Sequence, residues 1–111
     1  MRQRAWLLLV LLGTAPALVA GPDQDPFREA NDLVRAGDYP RAIAVVERLL
    51  LLTPDDSGEI RDRGLLRAHL GHRGPAIADL ERCLSLAPGA PDIRSVESRL
   101  AWLRRRATEA S

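Results

Sequence analysis

GDYPRAIAVVERLLLLTP, Gly37 to Pro54, returns as GHRGPAIADLERCLSLAP, Gly71 to Pro88. Every matched position is shifted by 34, from Gly37/Gly71 through Ala42/Ala76, Ile43/Ile77, Ala44/Ala78, Glu47/Glu81, Arg48/Arg82, Leu50/Leu84 and Leu52/Leu86 to Pro54/Pro88. A fixed period of this size is the mark of stacked supersecondary units, each burying its apolar face on the next. The expected fold class is therefore all-α. Two helix-turn-helix units form a solenoid, and one further helix caps its C-terminal end.

The pattern around the repeat supplies the helices. Phe27, Ala30, Leu33 and Val34 give helix one an apolar face, from about Pro26 to Ala36. Gly37 stops it, because glycine takes positive φ at a helix C-terminus without strain. Asp38 and Pro40 open helix two, which is apolar around more than half its circumference through Leu52 and is expected to be buried on two sides. Thr53-Pro54 ends it. Asp55, Asp56 and Ser57 start helix three, about Asp56 to Leu70. Gly64 in its middle costs roughly 1 kcal/mol against Ala, which makes sense where another helix crosses closely. Helix four runs from about Pro75 to Leu86. It replaces Val45 and Leu51 with Asp79 and Ser85, so one more of its sides is expected to meet water. Helix five, about Asp92 to Arg106, carries Ile93, Val96, Leu100 and Leu103 in a single stripe, as a cap should. Ala107 to Ser111 is expected to fray.

The first 20 residues read as an address. Arg2 and Arg4 precede an unbroken apolar run from Ala5 to Leu12, and small residues follow with Ala15 and Ala17 spaced for cleavage. The apolar stretch to Ala20 is shorter than the roughly 20 residues of a membrane span, and Pro16 interrupts it. A secretory signal, residues 1–20, is the expectation, followed by a linker over 21–26 and a helical domain over 27–106. Export places the protein in the periplasm or outside the cell. Removing Arg2 and Arg4 would leave 14 arginines against 15 acids, a formal charge of −1.

Composition narrows the chemistry. All sixteen basic residues are arginines and the formal charge is +1, which creates no steering field for nucleic acid. The one cysteine, Cys83, sits on the apolar face of helix four, the wrong place for a reactive thiolate. His69 and His72 lie three apart without a third ligand beside them, so neither a metal nor a cofactor is expected. Gly-rich phosphate loops and basic–aromatic interleaving are missing from the sequence. The Arg104–Arg106 run complements the dipole of a helix C-terminus.

The period, the two-helix unit, Ala30, Gly37 with Asp38-Tyr39, Ala42 and Pro54 in the first copy, and Gly64, Leu70-Gly71, Ala76, Cys83 and Pro88 in the second resemble the tetratricopeptide repeat. Arg63 and Arg67 stand where that motif usually has Leu and Tyr. Either their heads lie in water along a groove, or the second unit packs in a shifted way. The stretch Arg61 to Gly71, with AIADLERCLSLAPGAPD after it, is also similar to the repeat-bearing C-terminal part of SirB1-type transglutaminase-like proteins. The nucleophile–His–acid set of that family's other domain has no counterpart in these residues.

The tetratricopeptide resemblance implies a non-catalytic interaction module whose concave groove takes a protein or peptide segment. It would be lined by Phe27, Asn31, Val34 and Arg35, then Arg61, Leu65, Ala68 and His69, then Ser95 and Arg99. The strongest partner contacts are expected at Asn31, Arg35, Arg61, Leu65, His69 and Arg99. Asn31 and Arg99 coincide with two positions of the family's carboxylate clamp. Phe27, Asp62 and Ser95 do not match its others, so no dedicated clamp is expected. The SirB1 likeness implies an alternative, an accessory domain of a separately encoded transglutaminase-like or hydrolytic enzyme. Two repeats are fewer than the three or so that isolated arrays need, which implies marginal stability or stacking with a second copy.

Overall fold

The computed structural model describes residues 25–109, and the expected signal segment and most of the linker lie outside them. Five helices follow in order: α1 Pro26–Arg35, α2 Tyr39–Leu52, α3 Ser57–His69, α4 Arg73–Leu86 and α5 Ile93–Glu109. Each packs chiefly on its neighbours in sequence. No strand occurs among the described residues.

The two hairpins turn by the same local chemistry. Gly37 and Gly71 have φ of 77° and 79°. At the first turn the Asp38 N–H reaches the Leu33 carbonyl at 2.8 Å and the Gly37 N–H the Val34 carbonyl at 3.0 Å. At the second, His72 reaches Arg67 at 2.9 Å and Gly71 reaches Ala68 at 3.1 Å. These paired bonds satisfy carbonyls that a helix end leaves open, and they need a left-handed residue between them. The starts differ. Asp25, Asp38 and Asp56 accept backbone N–H groups at the first turns of α1, α2 and α3, whereas His72 makes no such bond for α4.

Ala42 and Ala76 are both fully buried at equivalent points of successive hairpins. Around them lie Ile43, Val46, Leu50, Ile60, Leu66, Leu80 and Cys83, and α5 adds Val96, Leu100 and Leu103. Burying a side chain such as Ile60 or Leu80 contributes about 1.5–3 kcal/mol. The stripe expected on α5 is the face it lays on the second hairpin. That helix continues through Ala107 to Glu109 instead of fraying, and Thr108 donates its hydroxyl to the Arg104 carbonyl at 3.0 Å.

Asp79 overturns the expectation that α4 turns a further side to water. It is only 4% exposed. Arg63 grips it side-on, Nε to Oδ2 at 3.0 Å and Nη2 to Oδ1 at 2.9 Å, and Arg67 adds Nη1 to Oδ2 at 2.8 Å. The two arginines therefore neither lie with their heads in water nor shift the second unit. They cross from α3 to α4 and replace an apolar contact with an ionic one. In the first hairpin the corresponding residues are Glu29, Leu33 and Val45. Gly64 lies beside this cluster, where a larger residue would be tightly squeezed. A Cβ there would sit 3.0 Å from the Asp79 Cβ and 3.1 Å from Leu80 Cδ2.

α2 is buried on two sides as expected, against α1 and α3, and departs only at its last turn. Its buried side takes in Ala42, Ile43, Val45, Val46, Leu49 and Leu50, but Leu51 and Leu52 are 81% and 82% exposed. The face of α1 that corresponds to the buried Leu66 and Leu100 faces carries Arg28, Asp32 and Arg35, all exposed.

Two outcomes follow from these contacts. Asp79→Val alone strands two half-buried guanidiniums and should lower unfolding stability by about 2–4 kcal/mol. Combined with Arg63→Leu and Arg67→Leu it should return to within about 1.5 kcal/mol of the parent, since a buried ionic cluster replaced by apolar groups is often neutral. Urea melts of the single and triple variants make that comparison. Separately, Asp92 at the start of α5 accepts a hydrogen bond from the Arg61 Nη1, which holds its carboxyl below the usual aspartate range. A depressed folded pKa contributes stability above the unfolded value of about 3.9 and loses it as pH falls through the folded one. Asp92→Asn should therefore flatten the acid limb of stability below about pH 4 relative to the parent.

Candidate functional site

The shared period sets which residues face the same way on α1, α3 and α5. Phe27, Arg61 and Ser95 form one row, Asn31, Leu65 and Arg99 a second, and Val34, Ala68 and Trp102 a third. Between α3 and α5 these rows enclose a cavity of about 250 Å³ lined by Arg61, Leu65, Asp92, Ser95, Val96 and Arg99. A shallower depression continues along α5 over Arg94, Ser95, Ser98, Arg99 and Trp102. Ser95 and Arg99 belong to both, so the two are continuous.

The six residues expected to carry partner contacts fare differently. Asn31, Arg35 and Arg99 are exposed, and Leu65 is half-buried at the cavity. Arg61 is half-buried and already engaged. It donates to Asp62 through Nε at 3.2 Å and Nη2 at 3.0 Å, and to Asp92 through Nη1. It braces α3 against the start of α5 and offers little to a ligand. His69 stacks on Tyr39, with ring centroids 5.1 Å apart and an interplanar angle of 11°. That contact spans the turn edge of two helices.

Trp102 was absent from the expected lining, although its offset from Ala68 and Val34 places it there. It is 42% exposed. The Arg99 guanidinium lies 5.8 Å from its ring centroid and that of Arg106 5.1 Å, both within cation–π range. Phe27 and Val34 are also exposed large apolar residues of these rows. The surface thus combines apolar rings and branches with arginine, serine and asparagine donors. Such a mixture suits a polypeptide with apolar and acidic side chains.

Other groups are placed for structure. Burial pushes the Cys83 thiol up, the opposite of what a reactive thiolate needs. Burial also raises the Glu59 carboxyl, with the nearby carboxylates of Asp62 and Asp56 adding to the effect. Among the described residues, no three His, Cys, Asp or Glu side chains converge as metal ligands would. No helix among them is long and apolar enough to cross a membrane.

Known proteins share stretches of this sequence. The "UPF0162 protein" of Xylella fastidiosa strain Temecula1 is 39% identical over 65 residues, which is 59% of this chain and 23% of that protein; the one from strain 9a5c matches to the same extent. The "DnaJ protein P58IPK homolog B" of Oryza sativa subsp. japonica is 29% identical over 106 residues, 92% of this chain and 22% of that protein. The chain thus spans under a quarter of the length of these relatives. Residues 31–101, from the middle of α1 into α5, match the tetratricopeptide repeat as a family. With two hairpins of that period turning on Gly37 and Gly71 and packing through Ala42 and Ala76, the chain belongs to the tetratricopeptide repeat family.

Proposed function

We propose that this protein is an exported, non-catalytic interaction module whose α1, α3 and α5 rows hold a segment of another polypeptide. The observation that carries the reading is the continuous surface from Leu65 over Ser95 and Arg99 to Trp102. An exposed tryptophan between two guanidiniums has the make-up of a binding hot spot, where Trp and Arg are enriched. Arg35 and Asn31 extend the same surface toward the N-terminal end. Repeat arrays use such surfaces for protein partners, so a protein or peptide partner is the natural occupant. Export rests on the Arg2–Ala20 pattern alone.

Nucleic acid is the less suited partner, since the formal charge is close to neutral. Stacking with a second copy is a further proposal, drawn from the small number of repeats. The rival reading is an accessory or regulatory domain of a separately encoded transglutaminase-like or hydrolytic enzyme. It draws on the likeness of Arg61–Asp92 to the SirB1-type helical region.

Capture from the exported fraction on immobilised protein separates the two. One stoichiometric enzyme whose activity changes on binding favours the accessory role; a non-enzymatic assembly protein favours the module. In either case Asn31→Ala, Arg99→Ala and Trp102→Ala together should weaken capture by about tenfold or more while helicity and melting temperature stay at parent values. Unchanged capture would remove this surface from the reading. Arg67 is unsuitable for such a test, because its loss would disturb Asp79 inside the hairpin.

A further inference from the structure

The antiparallel path gives the array two long edges. One carries the turns at Gly37 and Gly71. The other carries the segments after α2 and α4 and the point where the chain arrives at Asp25. Exposed large apolar side chains collect on the second edge. Phe27 at the start of α1 is 55% exposed, Leu51 and Leu52 at the end of α2 are above 80%, and Leu86 at the end of α4 is 39%. The ion pair between Glu29 and Arg48, at 3.4 Å, fixes the start of α1 beside the end of α2. Phe27 and the two leucines therefore lie at the same end of the first hairpin.

That end is also where residues 1–24 join. They contain the apolar stretch from Ala5 to Ala20, preceded by Arg2 and Arg4, and only five residues, Gly21 to Asp25, separate it from α1. Five extended residues reach about 17 Å. A basic front followed by an apolar run is a sequence that a bilayer takes up. Whenever residues 5–20 occupy a bilayer, this tether keeps the Phe27–Leu52 end next to the lipid surface. The leucines then meet the interface at the high effective concentration of a short link.

From this juxtaposition we infer that, in the chain that retains its N-terminal segment, the edge carrying Phe27, Leu51, Leu52 and Leu86 is a lipid-facing surface. The fitting partner is a zwitterionic bilayer. The carboxylates along this edge disfavour an anionic one, and most have partners of their own. Asp25 and Asp56 cap helices, Asp55 holds Arg82 at 2.6 Å, and Asp92 holds Arg61. Leu51 and Leu52 can enter the interface without leaving the protein core, because they take no part in it. Phe27 opens the α1 row as well, but Leu51, Leu52 and Leu86 lie outside the α1, α3 and α5 rows, so a partner could still occupy the rest of those.

The test uses the full chain with Cys83→Ala and a single new cysteine carrying an environment-sensitive dye. The cysteine stands at Leu52, or at His72 on the opposite edge as the control. Vesicles are phosphatidylcholine with a fraction of nitroxide-bearing lipid. The Leu52 label should shift to the blue on adding vesicles and be quenched at least about threefold more than the His72 label, because apolar side chains at such a surface sink several ångströms below the headgroups. In the unlabelled chain, Leu51→Ser with Leu52→Ser should lower the partition coefficient by about tenfold while helicity stays unchanged. Equal quenching at the two sites overturns the inference, as does an unchanged partition coefficient. A blue shift already complete without vesicles also overturns it. It would mean that residues 5–20 fold back on the leucines, or that a second copy covers them, and chain concentration tells those two apart.

Discussion

One carboxylate held by two guanidiniums sets the geometry of the second hairpin. Asp79 sits in the position that valine fills in the first repeat, and at 4% exposure it depends on Arg63 and Arg67 for all three of its side-chain hydrogen bonds. Those bonds need α3 and α4 close together. Gly64 permits it, since a Cβ there would press on Asp79 and Leu80 at 3.0 to 3.2 Å. The three polar residues and the glycine form one unit: removing Cβ from α3 lets the helices approach, and the approach brings the arginines to the carboxylate. Desolvating these charges has a cost, and a buried ionic cluster is weak grounds for added stability. Its three bonds span α3 and α4 at a single register.

That register has consequences outward. A fixed α3 aligns Arg61 with Asp92, which ties the start of α5 to the second hairpin. With α5 seated on Val96, Leu100 and Leu103, its other face presents Ser95, Arg99 and Trp102 beside Leu65. The candidate binding surface therefore depends on contacts made on the far side of α3. On the other side of the first hairpin, α1 turns Arg28, Asp32 and Arg35 outward.

Most of the architecture was legible in the sequence. The shared period, the two glycines, Gly64 as a close crossing and the stripe on helix five all concern local spacing. Such spacing dictates which side of a helix is apolar. Asp79 was not legible in that way. Taken along its own helix, an aspartate in place of valine reads as a residue turned to water. Its true setting depends on two arginines 12 and 16 residues earlier on another helix. Leu51 and Leu52 misled for the opposite reason: apolar character predicts burial only where a neighbour is present to cover it. Trp102 could have been found, since adding the repeat period to Val34 and Ala68 lands on it. Of the six expected contact residues, Arg61 and His69 have internal partners in Asp92 and Tyr39, which pattern alone could not reveal.

The most direct measurement is a carbon-edited NOESY spectrum of the chain in solution. With α3 and α4 crossing at Gly64, the Gly64 α-protons must give strong cross-peaks to the Leu80 methyl groups, because a Cβ at that place would lie 3.1 Å from Leu80 Cδ2. Gly64 α-protons that show no contact with Leu80 would mean that the second hairpin does not close there, and with it would go the placement of Asp79, α5 and the surface they support.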